Sequence, residues 1–241
     1  MQHGWEGVVL KALRGKDFVL TVRGSERVGE HYQRVHMADG GLLAVCRPHP
    51  AMWVRLWFEH EGKPHQRAYT LVDPDPGSGT FDLEFALHDG PAANWSLAAR
   101  PGATIDATVQ GTRDEQPPSG TRLLHLVGDP ASLPAVNSLL DAHPSIPARV
   151  WLEAGEPSDR DLPVRTRGGH DVVWVDRDGE PGRAVAEAVT GAWSGRAADP
   201  ARDWFWVACE AAATRALARH LRHVLGVPKH RVSALGYWRA T

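Results

Sequence analysis

The hydrophobic pattern of this chain changes once, at residues 116–120, and that change constrains the fold more than any other feature. Before it, short runs rich in Val, Leu, Phe, Trp and Thr are separated by Gly, Pro and Asp clusters, a pattern typical of antiparallel strands. After it, apolar runs alternate with helical segments, a pattern typical of an open parallel sheet with covering helices. The sequence therefore predicts a β domain over residues 1–116 and an α/β domain over residues 120–241.

The first domain reads as six strands and one short helix. Within the run at 80–87, apolar residues alternate with Asp82, Glu84 and Ala86, which is the period of a half-buried strand. Six strands within about 110 residues favour a small closed antiparallel barrel. The predicted strands are 4–10, 17–23, 52–58, 67–72, 80–87 and 103–109, and the helix is 91–100.

The second domain alternates strands with helices. The unbroken apolar run at 204–209 is expected of a parallel strand covered on both faces. The helix after it places Ala213, Leu217, Leu221 and Val224 on one stripe. Open sheets of this class bind ligands at the carboxyl ends of their strands. The other predicted strands are 123–127, 149–152, 171–175 and 232–237, with helices near 134–140 and 182–191.

Composition excludes several classes of function. The formal net charge is −2, so nothing global indicates a nucleic acid or an anionic membrane as partner. No apolar run approaches the roughly 20 residues of a membrane helix, and the N-terminus lacks a secretion signal, so we expect a cytoplasmic protein without a membrane span. Cys46 and Cys209 are more typical of small apolar fillers than of a disulfide or zinc site. No metal site and no catalytic side chain are predicted.

The predicted strand at 67–72 carries a candidate site for an anion and for a flat ring system. Arg67 and Tyr69 should point to one face, where the guanidinium can hold a phosphate by two charge-assisted hydrogen bonds and the phenol ring can pack against a flat cofactor. Thr70, on the other face, offers a hydroxyl. Four residues alone are equally consistent with an edge-strand Arg beside a structural Tyr.

A second element lies about 20 residues further on. Gly90 lets the backbone approach a ligand closely, and Pro91 suits the first turn of a helix, whose free N–H groups can bind an anion. An ordinary junction between a loop and a helix would also favour Gly and Pro. The two elements together favour a flavin dinucleotide as cofactor.

The sequence resembles the siderophore-interacting proteins, bacterial flavin-dependent ferric-siderophore reductases of the ferredoxin-reductase-like group. The similarity runs from about Trp5 to the C-terminus. The motifs that carry it, in the order and spacing of that family, are Arg67-Ala68-Tyr69-Thr70, His88, Gly90-Pro91-Ala92, Trp95, Pro101-Gly102, Gly128-Asp129, Trp206-Val207-Ala208-Cys209-Glu210 and Gly236-Tyr237-Trp238-Arg239.

The resemblance implies that electrons pass from NADPH or NADH through FAD to a ferric siderophore, releasing Fe(II). It implies that the ferric siderophore is bound by Arg55, Arg239 and, more weakly, Arg113. It assigns the two cofactors to a larger set: Arg67, Ala68, Tyr69, Thr70, His88, Gly90, Pro91, Ala92 and Trp95 for FAD, and Gly128, Asp129, Ala208, Glu210 and Trp238 on the side of the second domain.

Two departures from the family pattern keep alternatives open. Val72 stands where relatives often have a second Arg, and Cys209 stands where they usually have Gly. A divergent protein that binds siderophore or flavin without turnover, or a flavin reductase for another acceptor, would also suit these changes. Cys209 itself is either a packing residue or a redox-active thiol. No basic residue after the strands marks a 2′-phosphate pocket, so the choice between NADH and NADPH stays open.

Overall fold

The computed structural model describes residues 15–60 and 62–240, without the side chains of Arg196 and Ala197. The predicted strand at 4–10 lies outside these ranges. The chain divides into two compact units, Met1–Asp114 and Glu115–Thr241. We describe each unit separately.

Antiparallel strands form the first unit. Their order in the sheet is β4-β3-β7-β1-β2-β6-β5, and every ladder between neighbours is antiparallel. This confirms the predicted all-β first half, to which the structure adds β2, the short helix α1 and β5, which occupies part of a predicted turn. The described elements are β1 Lys16–Gly29, β2 Tyr32–Ala38, α1 Leu42–Val45, β3 Trp53–His60, β4 Lys63–Thr70, β5 Val72–Asp75, β6 Thr80–Ala86, α2 Pro91–Ala98 and β7 Thr104–Val109.

The sheet of the first unit encloses one apolar core. Its two edge strands, β4 and β5, follow each other in the chain with only Leu71 between them, so the sheet curls back on itself. The described residues form no ladder between these two strands, and the barrel stays open there. Core side chains come from β1, β2, β3, β6 and β7, and they include Leu20, Val35, Leu56 and Leu83, all fully buried.

The second unit is a five-stranded parallel sheet with helices, as predicted. Its strand order is β10-β9-β8-β11-β12. Because the chain proceeds from β8 toward β10 on one side and from β11 to β12 on the other, the direction of winding switches between β8 and β11. The elements are β8 Leu124–Gly128, α3 Leu133–Ala142, β9 Ala148–Ala154, β10 His170–Asp176, α4 Arg183–Ala192, β11 Trp204–Val207, α5 Ala211–His223 and β12 Val232–Ala234.

The switch point fixes where a ligand site of this unit can lie. In open α/β sheets the crevice forms outside the carboxyl ends of the two strands at the switch. Here those ends carry Gly128 and Ala208.

One prediction about α5 is wrong: the helix ends at His223, and Val224 is 68% exposed instead of buried. In the part of the chain that the structure describes, no helix is long and apolar enough to cross a bilayer.

Candidate cofactor sites

Arg67 and Tyr69 lie on one face of β4, as the strand period predicts. Their partners across the ladder are Leu56 and Val54, which point into the core. Arg67 is exposed and its Nη1 donates to the Gln66 carbonyl oxygen at 2.8 Å. No acidic side chain among residues 15–60 and 62–240 pairs with it. Its positive charge is therefore available to an anion.

Aromatic neighbours hold the Tyr69 ring in place. Its centroid lies 4.3 Å from that of Phe85 and 6.3 Å from that of Phe58, and Trp95 lies 5.9 Å from Phe58. Burial raises the pKa of the Tyr69 phenol above its ordinary value, against the lowering effect of the Arg67 charge. The phenol stays neutral at any physiological pH. Tyr69 is only half-buried, so it rests on the core without being enclosed by it.

Thr70 ends β4 with an unmatched polar atom. The residue is 5% exposed, and its Oγ1 atom has no hydrogen-bond partner in the described part of the chain. A buried hydroxyl in this state costs roughly 1–3 kcal/mol, so native proteins usually give it a partner. The neighbouring Ala68 is exposed. A hydrogen-bonding ligand would satisfy Thr70.

The turn before α2 presents an open helix start. His88 is exposed, and its Nδ1 lies 2.9 Å from the Asp89 carbonyl oxygen. A Cβ atom on Gly90 would lie 3.3 Å from Cε1 of His88, so glycine lets this ring fold over the backbone. The helix begins at Pro91, with Ala92 buried behind it. No side chain caps this start and its first turn has no acidic residue, which leaves its N–H groups for an anion.

These features of the first unit fit FAD. The pyrophosphate of FAD needs a cation and free N–H groups, which Arg67 and the start of α2 offer. The flat ring needs an aromatic wall and polar partners, which Tyr69 and Thr70 offer. The structure brings Arg67 and Tyr69 onto one face of β4 and Trp95 into contact with the aromatic side chains around Tyr69.

Arg55 lies on the opposite face of the β3–β4 ladder from Arg67. Its cross-strand partner is Ala68, its guanidinium lies 4.8 Å from the centroid of the Trp53 ring, and its Nη1 donates to Gln66 at 3.3 Å. The chain that leads to Arg113 reaches the same Trp53, since the Thr112 hydroxyl accepts from the Trp53 amide at 3.3 Å. Arg113 itself is exposed. Arg55 and the segment that carries Arg113 thus gather around Trp53.

In the second unit, Asp129 sits at the switch point just after β8. Its amide donates to the Ser132 hydroxyl at 2.9 Å, and its Oδ1 accepts from the Ser132 amide at 3.1 Å. A Cβ on Gly128 would lie 2.3 Å from that hydroxyl, so only glycine fits there. Burial raises the pKa of Asp129 to about 6, and nearby Glu153 adds to the rise, although hydrogen bonds from Trp238 and Ser132 oppose it.

Trp238 is anchored to Asp129. Its indole Nε1 donates to Asp129 Oδ2 at 2.7 Å, and its carbonyl accepts from the Ala211 amide at 2.9 Å. It also pairs with Glu210 in an isolated parallel bridge. The structure therefore brings Asp129, Glu210 and Trp238 together. Arg239, the next residue, is exposed.

Ala208 and Glu210 reach this edge in different ways. Ala208 is fully buried, and its carbonyl oxygen lies 3.4 Å from the place of a Cβ on Gly128. Glu210 caps α5, since its Oε2 accepts from the amides of Ala212 and Ala213. The carboxylate thus already satisfies the helix start that could otherwise receive a phosphate.

Cys209 lies between Ala208 and Glu210 in the chain. It is 1% exposed, and its Sγ lies 3.4 Å from the Thr214 hydroxyl oxygen. Burial raises its pKa to about 12, and the charges of Asp129, Glu153 and Glu210 raise it too. Because the thiolate is the reactive form, a neutral buried thiol supports a packing role.

Sequence reasoning missed two residues at this edge, Glu153 and Arg177. Glu153, at 1% exposure on β9, accepts from the Gly182 amide at 2.8 Å and from Arg177 Nε at 3.1 Å. The Arg177 guanidinium lies 5.8 Å from the Trp238 ring centroid, and a Cβ on Gly155 would come within 3.1 Å of it. Glu153 comes one residue after a predicted strand and Arg177 two residues after the next, so the same carboxyl-end rule that singled out Asp129 could have found them.

Comparisons with known proteins agree along the whole chain. Residues 121–241 match the family described as siderophore-interacting protein, and residues 20–110 match the siderophore-interacting FAD-binding domain. The chain is 32% identical over 250 residues to the mycobactin import ATP-binding/permease protein IrtA of Mycobacterium tuberculosis, with 100% of this chain and 28% of IrtA covered. It therefore spans less than a third of that relative.

Further similarities extend to a reductase and to solved structures. The chain is 26% identical over 197 residues to the ferric vibriobactin reductase ViuB of Vibrio cholerae, covering 76% of this chain and 67% of ViuB. The structure of the siderophore-interacting protein SipS from Aeromonas hydrophila matches with a TM-score of 0.78 at 23% identity, covering 93% of this chain and 92% of SipS. A ferredoxin NADP+ reductase from Neisseria gonorrhoeae matches with a TM-score of 0.71 at 14% identity, covering 92% and 99%. Residues 20–110 match that family's FAD-binding domain, and the chain belongs to the siderophore-interacting protein family.

Proposed function

We propose that this protein is an FAD-dependent reductase that takes electrons from NADH or NADPH and reduces iron(III) held by a siderophore. The observation that carries the proposal is the group on β4: an Arg67 charge without an acidic partner, a half-buried Tyr69 ring and a Thr70 hydroxyl without a hydrogen bond. Family membership and the similarity to a ferric vibriobactin reductase support the same reaction class.

In this proposal the side chains of residues 1–116 bind and orient FAD. Arg67 and the start of α2 hold the pyrophosphate, Tyr69 supports the ring, and Thr70 and His88 supply polar contacts. When bound, FAD would supply the chemistry that couples a two-electron hydride donor to a one-electron acceptor. Arg67 keeps its charge for the phosphate, and Tyr69 stays neutral beside the ring.

For the nicotinamide donor we propose the carboxyl edge of the sheet within residues 120–241, between Gly128 and Ala208. The start of α5 is already capped there by Glu210, and Asp129 accepts from the Ser132 amide just before α3. Arg177 supplies a positive charge at this edge, with Nε held by Glu153. Its guanidinium is the group that would meet a phosphate of the donor.

The ferric siderophore needs only to approach the flavin. Iron(III) is held far more tightly than iron(II) by hard oxygen ligands, so adding one electron loosens the chelate. Ferric chelates of this kind are commonly anionic, and cations raise their local concentration. We assign this role to Arg55, Arg113 and Arg239. A cytoplasmic location stays a prediction.

Anaerobic spectroscopy on the purified full chain tests the proposal. We expect bound FAD, bleaching of its visible absorbance by NADH or NADPH, and recovery of that absorbance when a ferric siderophore is added. A chromophoric chelator specific for iron(II) then measures the product. Flavin that neither nicotinamide bleaches would favour the second candidate, a flavin- or siderophore-binding protein without turnover. The start of α5, which Glu210 caps at the switch point, favours that alternative.

A further inference from the structure

The charge of this chain is distributed very unevenly. Residues 211–241 contain six Lys and Arg and no Asp or Glu. Since the formal net charge of the whole chain is −2, the last 31 residues carry +6 and the first 210 carry −8. A near-neutral total therefore hides a strongly basic segment.

The outer face of α5 carries a row of arginines. Arg215, Arg219 and Arg222 are spaced by four and three residues, which places them on one stripe. All three are exposed, while Leu217 and Leu221 face the core. Across the described ranges, none of the three arginines has an ion-pair partner. The stripe is an uncompensated positive surface.

The loop after α5 carries exposed apolar residues between Arg222 and Lys229 in the chain. Val224 is 68% exposed and Pro228 is also exposed, whereas Val227 is buried at 3% and anchors the loop. His223 precedes this loop. Lys229 and His230 follow it, both exposed, in a 3₁₀ turn. We call the exposed set the basic surface: Arg215, Arg219, Arg222, His223, Val224, Pro228, Lys229 and His230.

The end of the basic surface lies away from the candidate nicotinamide edge. Helix α5 begins at the carboxyl end of β11, beside Trp238, and its last turn precedes the start of β12. The loop 224–228 and the turn Lys229–Arg231 therefore sit at the amino edge of the parallel sheet. Asp129 and Glu210 sit at the opposite edge. A partner held at the amino edge would leave the crevice between Gly128 and Ala208 open.

We propose that the basic surface docks this protein onto an anionic lipid bilayer. Clustered Lys and Arg attract anionic lipid headgroups, each contributing a several-fold gain in affinity. Val224 and Pro228 are exposed at the end of α5, between Arg222 and Lys229 in the chain, and apolar side chains beside cations suit the boundary between headgroups and acyl chains. Nucleic acids are bound through cations and polar side chains, and an exposed apolar loop contributes nothing to phosphate contacts. The observations therefore favour a bilayer over a nucleic acid. This inference does not depend on the proposed reductase activity.

Sedimentation with vesicles tests the docking. The full chain should bind vesicles of phosphatidylcholine mixed with phosphatidylglycerol at low salt, leave them at high salt, and bind pure phosphatidylcholine weakly. The triple variant Arg215→Gln/Arg219→Gln/Arg222→Gln should lose more than about tenfold in partitioning. Val224→Ser should weaken binding further without changing its salt dependence.

A charge-matched variant separates a local surface from a general charge effect. Arg23→Gln/Arg27→Gln/Arg47→Gln removes three exposed arginines of the first unit and should retain binding. Far-UV circular dichroism confirms that every variant is folded. Equal binding by the two triple variants, equal binding to both vesicle types, or binding to a DNA duplex in preference to anionic vesicles would each overturn the proposal.

Discussion

At the level of single residues, two polar groups on β4 lack, within the described ranges, the partners that such groups usually have. Arg67 keeps a charge without an acidic partner, and Thr70 keeps a buried hydroxyl without a hydrogen bond, counting the described residues. Neither feature improves the stability of an empty domain, since a buried polar atom without a partner lowers it. Both are explained if the folded state is completed by a cofactor with phosphate and polar ring atoms.

The first prediction concerns Arg67→Ala. Removing a charge-assisted contact to a phosphate should cost about 1.5–3 kcal/mol of FAD binding, a loss of roughly one to two orders of magnitude in affinity. Flavin released through an ultrafiltration membrane, measured by its fluorescence, gives the dissociation constant. Arg27→Ala is the control, because Arg27 is an exposed arginine of the same sheet whose side chain donates to the Glu30 carbonyl. Equal FAD affinity in the two variants would show that Arg67 does not hold the phosphate.

At the level of elements, local periodicity predicted most strands because their buried and exposed residues alternate. The sequence did not predict β2 because the outward side chains of this strand are polar or charged. Arg34 donates to Glu84 at 2.6 Å, and Nδ1 of His36 lies 2.8 Å from Oδ1 of Asp82. These partners come from β6, about 50 residues away, so the polar residues of β2 read as a loop until both strands are known. Val35 and Met37, fully buried, carried too short an apolar signal alone.

The arrangement of the candidate cofactor residues was also predictable from the sequence in part only. Arg67 and Tyr69 were predictable to share a face because strand period fixes side-chain direction. The contacts of Asp129 with Trp238 and of Glu153 with Arg177 were not predictable, since they join residues 109 and 24 positions apart through the packing of the sheet. The family motifs named Asp129 and Trp238 individually, and only the fold connects them.

The second prediction concerns the packing of α4 against α5. Gly182 caps α4 at a φ of +81°, and a Cβ there would lie 2.4 Å from the Cβ of Ala213. Gly182→Ala should therefore lower the free energy of unfolding by about 2–4 kcal/mol, from left-handed backbone strain and overpacking together. Denaturant-induced unfolding followed by circular dichroism measures this change.

Gly191, within the same helix, provides a control of opposite sign. A Cβ on Gly191 would meet nothing within 4 Å, and alanine favours a helix interior by about 0.5–1 kcal/mol. Gly191→Ala should therefore raise the free energy of unfolding. If Gly182→Ala also stabilised the protein, the close approach of the two helices at this point would be wrong.

At the level of the whole molecule, acidic and basic side chains are concentrated in different regions of the chain. Acidic side chains line the carboxyl edge of the parallel sheet, where Asp129 and Glu153 are buried. The last 31 residues contain no acidic residue at all. Protonation should therefore affect stability mainly through the buried carboxyls, and their individual pKa shifts determine the sign of each effect.

Asp129 and Asp203 act in opposite directions. Burial raises the pKa of Asp129 to about 6 from 3.8, so the folded state binds more protons than the unfolded state between these values. Its contribution to stability is complete below pH 3.8 and is lost as pH rises through about 6. For Asp203, burial is outweighed by hydrogen bonds from His125, the Asp199 amide and Arg122, which lower its pKa. Its contribution is present at neutral pH and is lost in acid.

The third prediction isolates the Asp129 term with Asp129→Asn, which removes the titration and retains an oxygen that can accept from Trp238 Nε1. A pKa difference of this size corresponds to roughly 3 kcal/mol at most. The unfolding free energy of the variant relative to the wild type should therefore increase by up to that amount between pH 4 and pH 7, because only the wild type loses stability over this window. Asp161→Asn, an exposed position in the same unit, controls for the loss of one carboxylate. A difference between variant and wild type that stays constant with pH would mean that Asp129 ionises normally, and that its hydrogen bond with Trp238 forms without the burial described for this edge.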